Sequence, residues 1–386
     1  MLEFFYNYGG RLMDTSNEKK LYNNEKKLYN IEFVRFIFSA MIIYYHLLHN
    51  NLITATDGGT AFLNRLADDC EYAGFIVECF FIIAGYFLFR SYSKRPDLSV
   101  KEFAYNKIAR LWPVLFVTVV IGVLFFGENE IPSLFNALFL QCIGVSLDYQ
   151  GITWYVSPFF WAILFYFVLL KCARNKKMCN VMIGVISYFS YVLLVNRFFG
   201  RETINDVFSL GVVRALGGIG VGYLIGVCLN SIQNMPAVKD FRGTKTQNLL
   251  IGAAFSLAEI ASAALLMRHF LSRDNTYGNQ FFIVILFSVL LVCMISGRGI
   301  LSRIFNNKIF GFAGKYAYSI YMMQQIAFWI LKDTLWKNTD FIRQHGLWCI
   351  AISLIFAILL GILTYYAVEK PAANALKKLG AKLFKK

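Results

Sequence analysis

Arg35 and His46 stand eleven residues apart at the two ends of one apolar stretch, IEFVRFIFSAMIIYYHLLHN at 31–50. Arginine is a permanent cation; imidazole, with an unperturbed pKa of about 6.5, is the side chain suited to moving a proton at neutral pH. In a helix, eleven steps rise ~16 Å and turn within about 20° of three full turns, so both side chains project from one face. Ionisable groups inside a membrane span are costly unless they are paired or face a wet cavity, which makes both residues functional candidates.

Other ionisable residues extend the set. Glu78 lies inside the second apolar run, Lys107 and Arg110 enter the third, and Arg214 sits within the seventh near its outer end. Glu78 is a carboxylate that orients an imidazole or pairs with Arg35 or Arg110. Lys107 and Arg110 are either anion-binding groups or topology-setting charges. Arg214 suits an anionic sugar or a lipid phosphate. Glu369, before Pro371, reads as the partner of a loop cation that closes the bundle. His49 reads as a solvated boundary residue, and His269 and His345 as residues of outer loops. None of the eight cysteines forms a Cys-x-x-Cys pair, so no metal or redox motif is expected. Cys70 and Cys142 could meet on the outer side, while most cysteines read as small buried hydrophobes. GGIGVG at 217–222 lies in an apolar run, where small residues let helices pack closely.

Elements that position these residues follow from composition. With 58% hydrophobic and only 16% charged residues, the chain needs lipid as its solvent. The net charge of +15 is spread over short segments between apolar runs rather than gathered on one face, which argues against nucleic acid as a partner. Apolar runs at 31–50, 72–92, 111–127, 131–147, 154–171, 180–199, 208–230, 247–267, 280–296, 316–335 and 346–368 are candidates for the ~20 residues a crossing needs. Six basic segments, before 36 and at 90–110, 171–177, 239–245, 298–315 and 370–386, hold 29 of the 38 Lys and Arg and are assigned to the cytoplasm. Alternation between these segments and the acidic loops then tests the run at 131–147, which begins beside a proline, contains Gln141 and Gly144, and ends in DYQG. It reads as a re-entrant or interfacial helix. The expected fold is an all-α bundle of about ten spans plus that helix, with both termini cytoplasmic. A polar extension at 1–30 carries the tandem heptapeptide NEKKLYN, a membrane domain fills 31–378, and a basic tail occupies 379–386.

The pattern of polar residues along the runs resembles a known family. VRFIFSAMIIYYH (34–46), VECFFIIAGYFLFR (77–90), NKIARLWP (106–113), TWYVSPFFW (153–161), GKYAYSIYMMQQ (314–325) and VEKPAANALKK (368–378) are similar, in order, to segments of the acyltransferase type 3 family, membrane enzymes that acylate bacterial envelope glycans. That resemblance implies acyl transfer, usually acetyl from acetyl-CoA, to a hydroxyl of an envelope or surface polysaccharide at the cell membrane. Its partners would be acyl-CoA, a glycan or lipid-linked glycan acceptor, and membrane lipids, with no metal. His46 then becomes the general base or a transient acyl carrier, assisted by Glu78. Arg35, Lys107 and Arg110 bind coenzyme A phosphates. Arg214, Trp154, Tyr321 and Gln324 contact the acceptor. Departures from the pattern are Ala84 and Ala317 in place of serines, and Gln324 in place of a histidine; a glutamine hydrogen-bonds but does not titrate. Competing readings are a glycan transporter or exporter, with Arg35, Glu78 and His46 as its pathway, and a catalytically inactive family member.

Overall fold

The computed structural model describes residues 28–49, 70–146, 151–196, 209–239, 243–271, 279–337 and 339–384. The helices of eight residues or more are α1 Tyr29–His49, α2 Ile76–Lys94, α3 Val100–Phe126, α4 Glu130–Ala137, α5 Val156–Cys172, α6 Lys176–Asn196, α7 Gly211–Gln233, α8 Lys245–Phe270, α9 Asn279–Ser296, α10 Ala317–Asp333, α11 Thr339–Thr364 and α12 Lys370–Leu383. No strand occurs among the described residues; Gln141 and Ser146 form an isolated bridge. Among the described residues, eight helices are long and apolar enough to cross a membrane, and α9 and α10 are shorter. Together they occupy the ten runs expected from the sequence.

The doubtful run is not a crossing. α4 covers eight residues, about 12 Å of rise, and the chain then leaves the helix, with Phe139 and Cys142 at positive φ. Irregular backbone at membrane depth needs partners, and it has them. The Phe139 carbonyl accepts from the Ser157 hydroxyl at 2.6 Å and the Trp161 indole at 2.7 Å, while the Trp112 indole donates to the Ala137 carbonyl at 3.1 Å.

Local sequence sets the helix ends. Ser99 caps α3 by accepting from the Glu102 amide, and Gly127 terminates it in the left-handed region at φ 69°. Thr244 and Gln247 form a reciprocal capping box at the start of α8. The first helix begins at Tyr29, inside the second NEKKLYN repeat, because Asn30 is buried and donates to the Met294 carbonyl at 2.6 Å. Residues 17–27 of the heptapeptide pair lie outside the described residues. At the other end, α12 runs through residue 379, so the expected tail begins within a helix.

Glycines draw α2 and α7 together. A Cβ on Gly222 would lie 1.9 Å from the Ile82 carbonyl oxygen, and one on Gly85 1.9 Å from the Ile219 oxygen, so the two backbones touch where the GGIGVG segment crosses α2. Gly222→Ala is therefore expected to lower thermal stability by about 1–3 kcal/mol or more through overpacking. Gly184→Ala, whose Cβ would have Leu224 at 3.6 Å as its nearest contact, is the neutral control. Equal melting temperatures for the two purified variants would refute the crossing.

Six of the eight cysteines are buried. His269 and His345 lie on helices rather than in loops: His269 in the last turn of α8, its ring 5.7 Å from that of Phe282, and His345 at a kink inside α11.

Candidate active site

A cavity of about 340 Å³ opens among α1, α2, α3, α5 and α10, at the end assigned to the cytoplasm by charge. Arg35, Lys107 and Arg110 all line it, as does Tyr321. α1 brings Arg35 and Ser39 to the wall one turn apart, and α3 brings Lys107, Arg110 and Leu111 by the same i, i+3, i+4 spacing. Aromatic rings from Phe80, Phe87, Tyr155, Phe159 and Tyr318 also line it.

Charges in the cavity are unequally matched. Arg35 is bound by Glu32, three residues earlier on the same face, at 2.9 Å. Glu369 accepts from the Ser319 hydroxyl at 2.5 Å and lies close enough to Arg110 and Arg35 to act on both. It belongs to the cavity cluster, not to a loop cation. Its carboxylate arrives through a π-helical turn, Tyr365–Glu369, that joins α11 to α12. Lys107 has no ion pair among the described residues. Its ammonium lies over the rings of Phe103 and Phe159, and the charge acting on it is that of Arg110, which repels it.

Glu78 and Arg214 meet elsewhere. The fully buried Glu78 carboxylate accepts from Arg214 Nε at 2.7 Å and from the Tyr191 hydroxyl at 3.1 Å, so its partner is neither Arg35 nor Arg110. Arg214 also stacks over Phe75 and Trp154, 4.9 and 6.0 Å from the ring centres. Its charge is thus already answered from within the bundle, which weighs against its role as the receptor for an anionic acceptor.

Comparison with known families gives a match to the type 3 acyltransferase domain over residues 28–366, nearly the whole chain. The chain belongs to that family. No curated protein and no solved structure matches it. A membrane-embedded acyltransferase is therefore the class within which the site is read.

For this acyltransferase, the depth of His46 follows from helix register. The Ser39 hydroxyl donates to the Ala317 carbonyl at 3.3 Å, which fixes α1 against α10 at that level. Seven residues on, two turns and about 10 Å along each helix, lie His46 and Gln324. Charge alternation runs both helices outward, so the two occupy the same depth beyond the cavity wall. The His46 ring is half-buried and packs edge-on to Tyr45 at 5.1 Å; Gln324 is fully buried.

Sequence reasoning passed over Tyr155, Tyr318 and Glu32. Tyr155 is a hub: its ring contacts Phe80, Phe81, Trp154, Phe159 and Tyr321 at centroid distances of 4.7–6.4 Å. It joins the cavity, through Trp154, to the Arg214 side of the bundle. Glu32 had a signal, since it precedes Arg35 by three residues on one helical face. Tyr155 and Tyr318 were masked by the abundance of aromatic residues, 22 tyrosines and 38 phenylalanines in all.

Among the described residues no group of three or more potential metal ligands occurs.

Proposed function

We propose that this acyltransferase moves an acyl group, acetyl in the first instance, from cytosolic acyl-CoA to a hydroxyl of a cell-envelope or surface polysaccharide, at the cell membrane. The observation that carries the proposal is the pair Lys107 and Arg110, cations that repel each other on the wall of one cavity, with no ion pair on Lys107 among the described residues. Glu369 answers part of the charge on Arg110 and nothing described answers that on Lys107, so the pair favours a further anion, a charge that coenzyme A phosphates supply. Arg35, held in place by Glu32, is the third cofactor contact.

The pantetheine arm would then run along the aromatic wall towards Tyr321, bringing the thioester towards the depth of His46. The acceptor hydroxyl oxygen attacks the thioester carbonyl carbon, its proton passes to His46, the carbon–sulfur bond breaks, and coenzyme A leaves as a thiolate that takes that proton from the imidazolium, which returns His46 to its neutral form. The products are an ester and free coenzyme A.

The test separates the phosphates from the thioester. Lys107→Ala and Arg110→Ala should each raise KM for acetyl-CoA about 10–100-fold, the cost of a charge-assisted hydrogen bond, and leave KM for acetyl-pantetheine, which lacks the nucleotide phosphates, almost unchanged. Equal losses with both donors would remove the two residues from the cofactor site.

A further inference from the structure

The outer half of the bundle contains carboxamides that the fold does not use. Gln324 is fully buried, and neither its nitrogen nor its oxygen has a hydrogen-bond partner. Gln141, fully buried in the irregular return after α4, donates to the Thr153 carbonyl at 3.0 Å, yet its oxygen is unpartnered. The Gln325 oxygen is buried in the same condition.

One stretch of backbone ties the two elements that carry these side chains together. The Tyr321 hydroxyl donates to the Ile152 carbonyl at 2.7 Å, next to the Thr153 carbonyl that holds Gln141. Gln324 and Gln325 follow Tyr321 by one turn of α10, about 5 Å further out and at the depth of His46. Buried polar groups in folded proteins are almost always bonded, because desolvation without a partner is costly. Three unused carbonyl oxygens and one unused amide, contributed by two separate elements, therefore point to something that bonds them during function.

We infer that Gln141, Gln324 and Gln325 form the acceptor subsite, and that the part of the acceptor seated there is an uncharged, hydroxyl-rich group. A hydroxyl both donates and accepts, and a carboxamide offers both functions without charge. An anionic acceptor group would call for a cation, and Arg214 is committed to Glu78. The re-entrant segment thereby gains a purpose: it carries Gln141 in to membrane depth. This inference rests on the acyltransferase reading and adds to it the residues that read the acceptor and the class of group they read.

The experiment uses the full chain with Gln141→Leu, Gln324→Leu and Gln325→Leu, each similar in volume but unable to hydrogen-bond. In cells, ester released from envelope glycans should fall about tenfold for each variant. In the purified protein, acetyl-CoA binding should stay within about twofold of wild type for all three, and the thermal midpoint of Gln324→Leu should hold or rise, since there an apolar group replaces a wholly unbonded polar one. The wild-type ester should map to a neutral sugar residue. Undiminished acylation in the three variants, as expected if ordered water alone meets these groups, overturns the inference. So does a Gln324→Leu midpoint that falls in step with acylation, which marks a structural role, or an ester on a charged sugar. A wild-type protein that neither binds acetyl-CoA nor acylates any glycan rejects the acyltransferase reading itself, a result distinct from the others.

Discussion

His46→Ala should abolish acyl transfer while leaving acetyl-CoA bound. A positioned general base contributes about 10²–10⁴ in rate, and the matching depth on α10 holds Gln324, which does not titrate. The cofactor contacts of the proposed mechanism lie two or more turns away, at Arg35, Lys107 and Arg110 on the cavity wall, so truncating the imidazole should not disturb them. Two measurements are needed: acyl content of surface glycans in cells, with membrane insertion of the variant verified, and acetyl-CoA affinity of the purified protein. Acylation at the wild-type level would sink the role of His46. Parallel loss of acylation and acetyl-CoA affinity would move the imidazole from proton transfer to cofactor binding. Gln324→His is the complementary variant: it restores a titratable group at the same depth and, placed on the His46→Ala background, tests whether that depth rather than the residue is what matters.

What could be read from the sequence divides along a physical line. Spans, their order and the re-entrant run were legible because burial in lipid requires long apolar runs, and because basic segments alternate with acidic ones. The grouping of Arg35 with Lys107 and Arg110 was legible for a related reason, since all three fall at helix ends that the charge pattern assigns to the cytoplasm. Partner choice was not legible. Glu78 had three cations within reach of any reasonable bundle and found Arg214, because the glycine crossing of α2 with α7 brings those two helices closest. Glu369 was assigned to a loop cation, since nothing in VEKPAANALKK announces the π-helical turn that carries its carboxylate to Ser319 and the cavity. The carboxamides show the same limit: Gln141 was visible as a polar residue in a doubtful span, but its relation to Gln324 depends on how the segment folds back onto residues 152 and 153.

The separation of the cavity from the Glu78–Arg214 pair matters for mechanism. Notions of a single charged pathway through Arg35, Glu78 and His46 require those groups to share a route, yet Glu78 spends both oxygens on Arg214 and Tyr191. Tyr155 and Trp154 lie between the two regions, joined ring to ring at 6.2 Å. The geometry thus favours a pair that fixes α2 against α6 and α7, with the transfer chemistry running along α1 and α10.

Breaking that pair from one side should be the most damaging change to the fold. Arg214→Met leaves a fully buried carboxylate with only a tyrosine hydroxyl to satisfy it, and removal of one partner from a buried ion pair costs about 3–5 kcal/mol. The loss in cation–π contact with Phe75 and Trp154 is smaller, since Met keeps packing against the rings. Glu78→Gln alone strands the guanidinium, although the carboxamide it introduces still accepts from Tyr191. Combining Glu78→Gln with Arg214→Met removes both charges and retains the tyrosine's acceptor, so most of the lost stability should return, as it does when buried ion pairs are replaced together. Folded yield and thermal midpoint measure this cycle, and acyl transfer measured on the same three variants assigns the role. If the pair only holds the bundle, activity returns with stability in the double variant. If Glu78 or Arg214 touches substrate, the double variant is stable and inactive, and the separation of the pair from the transfer site is wrong.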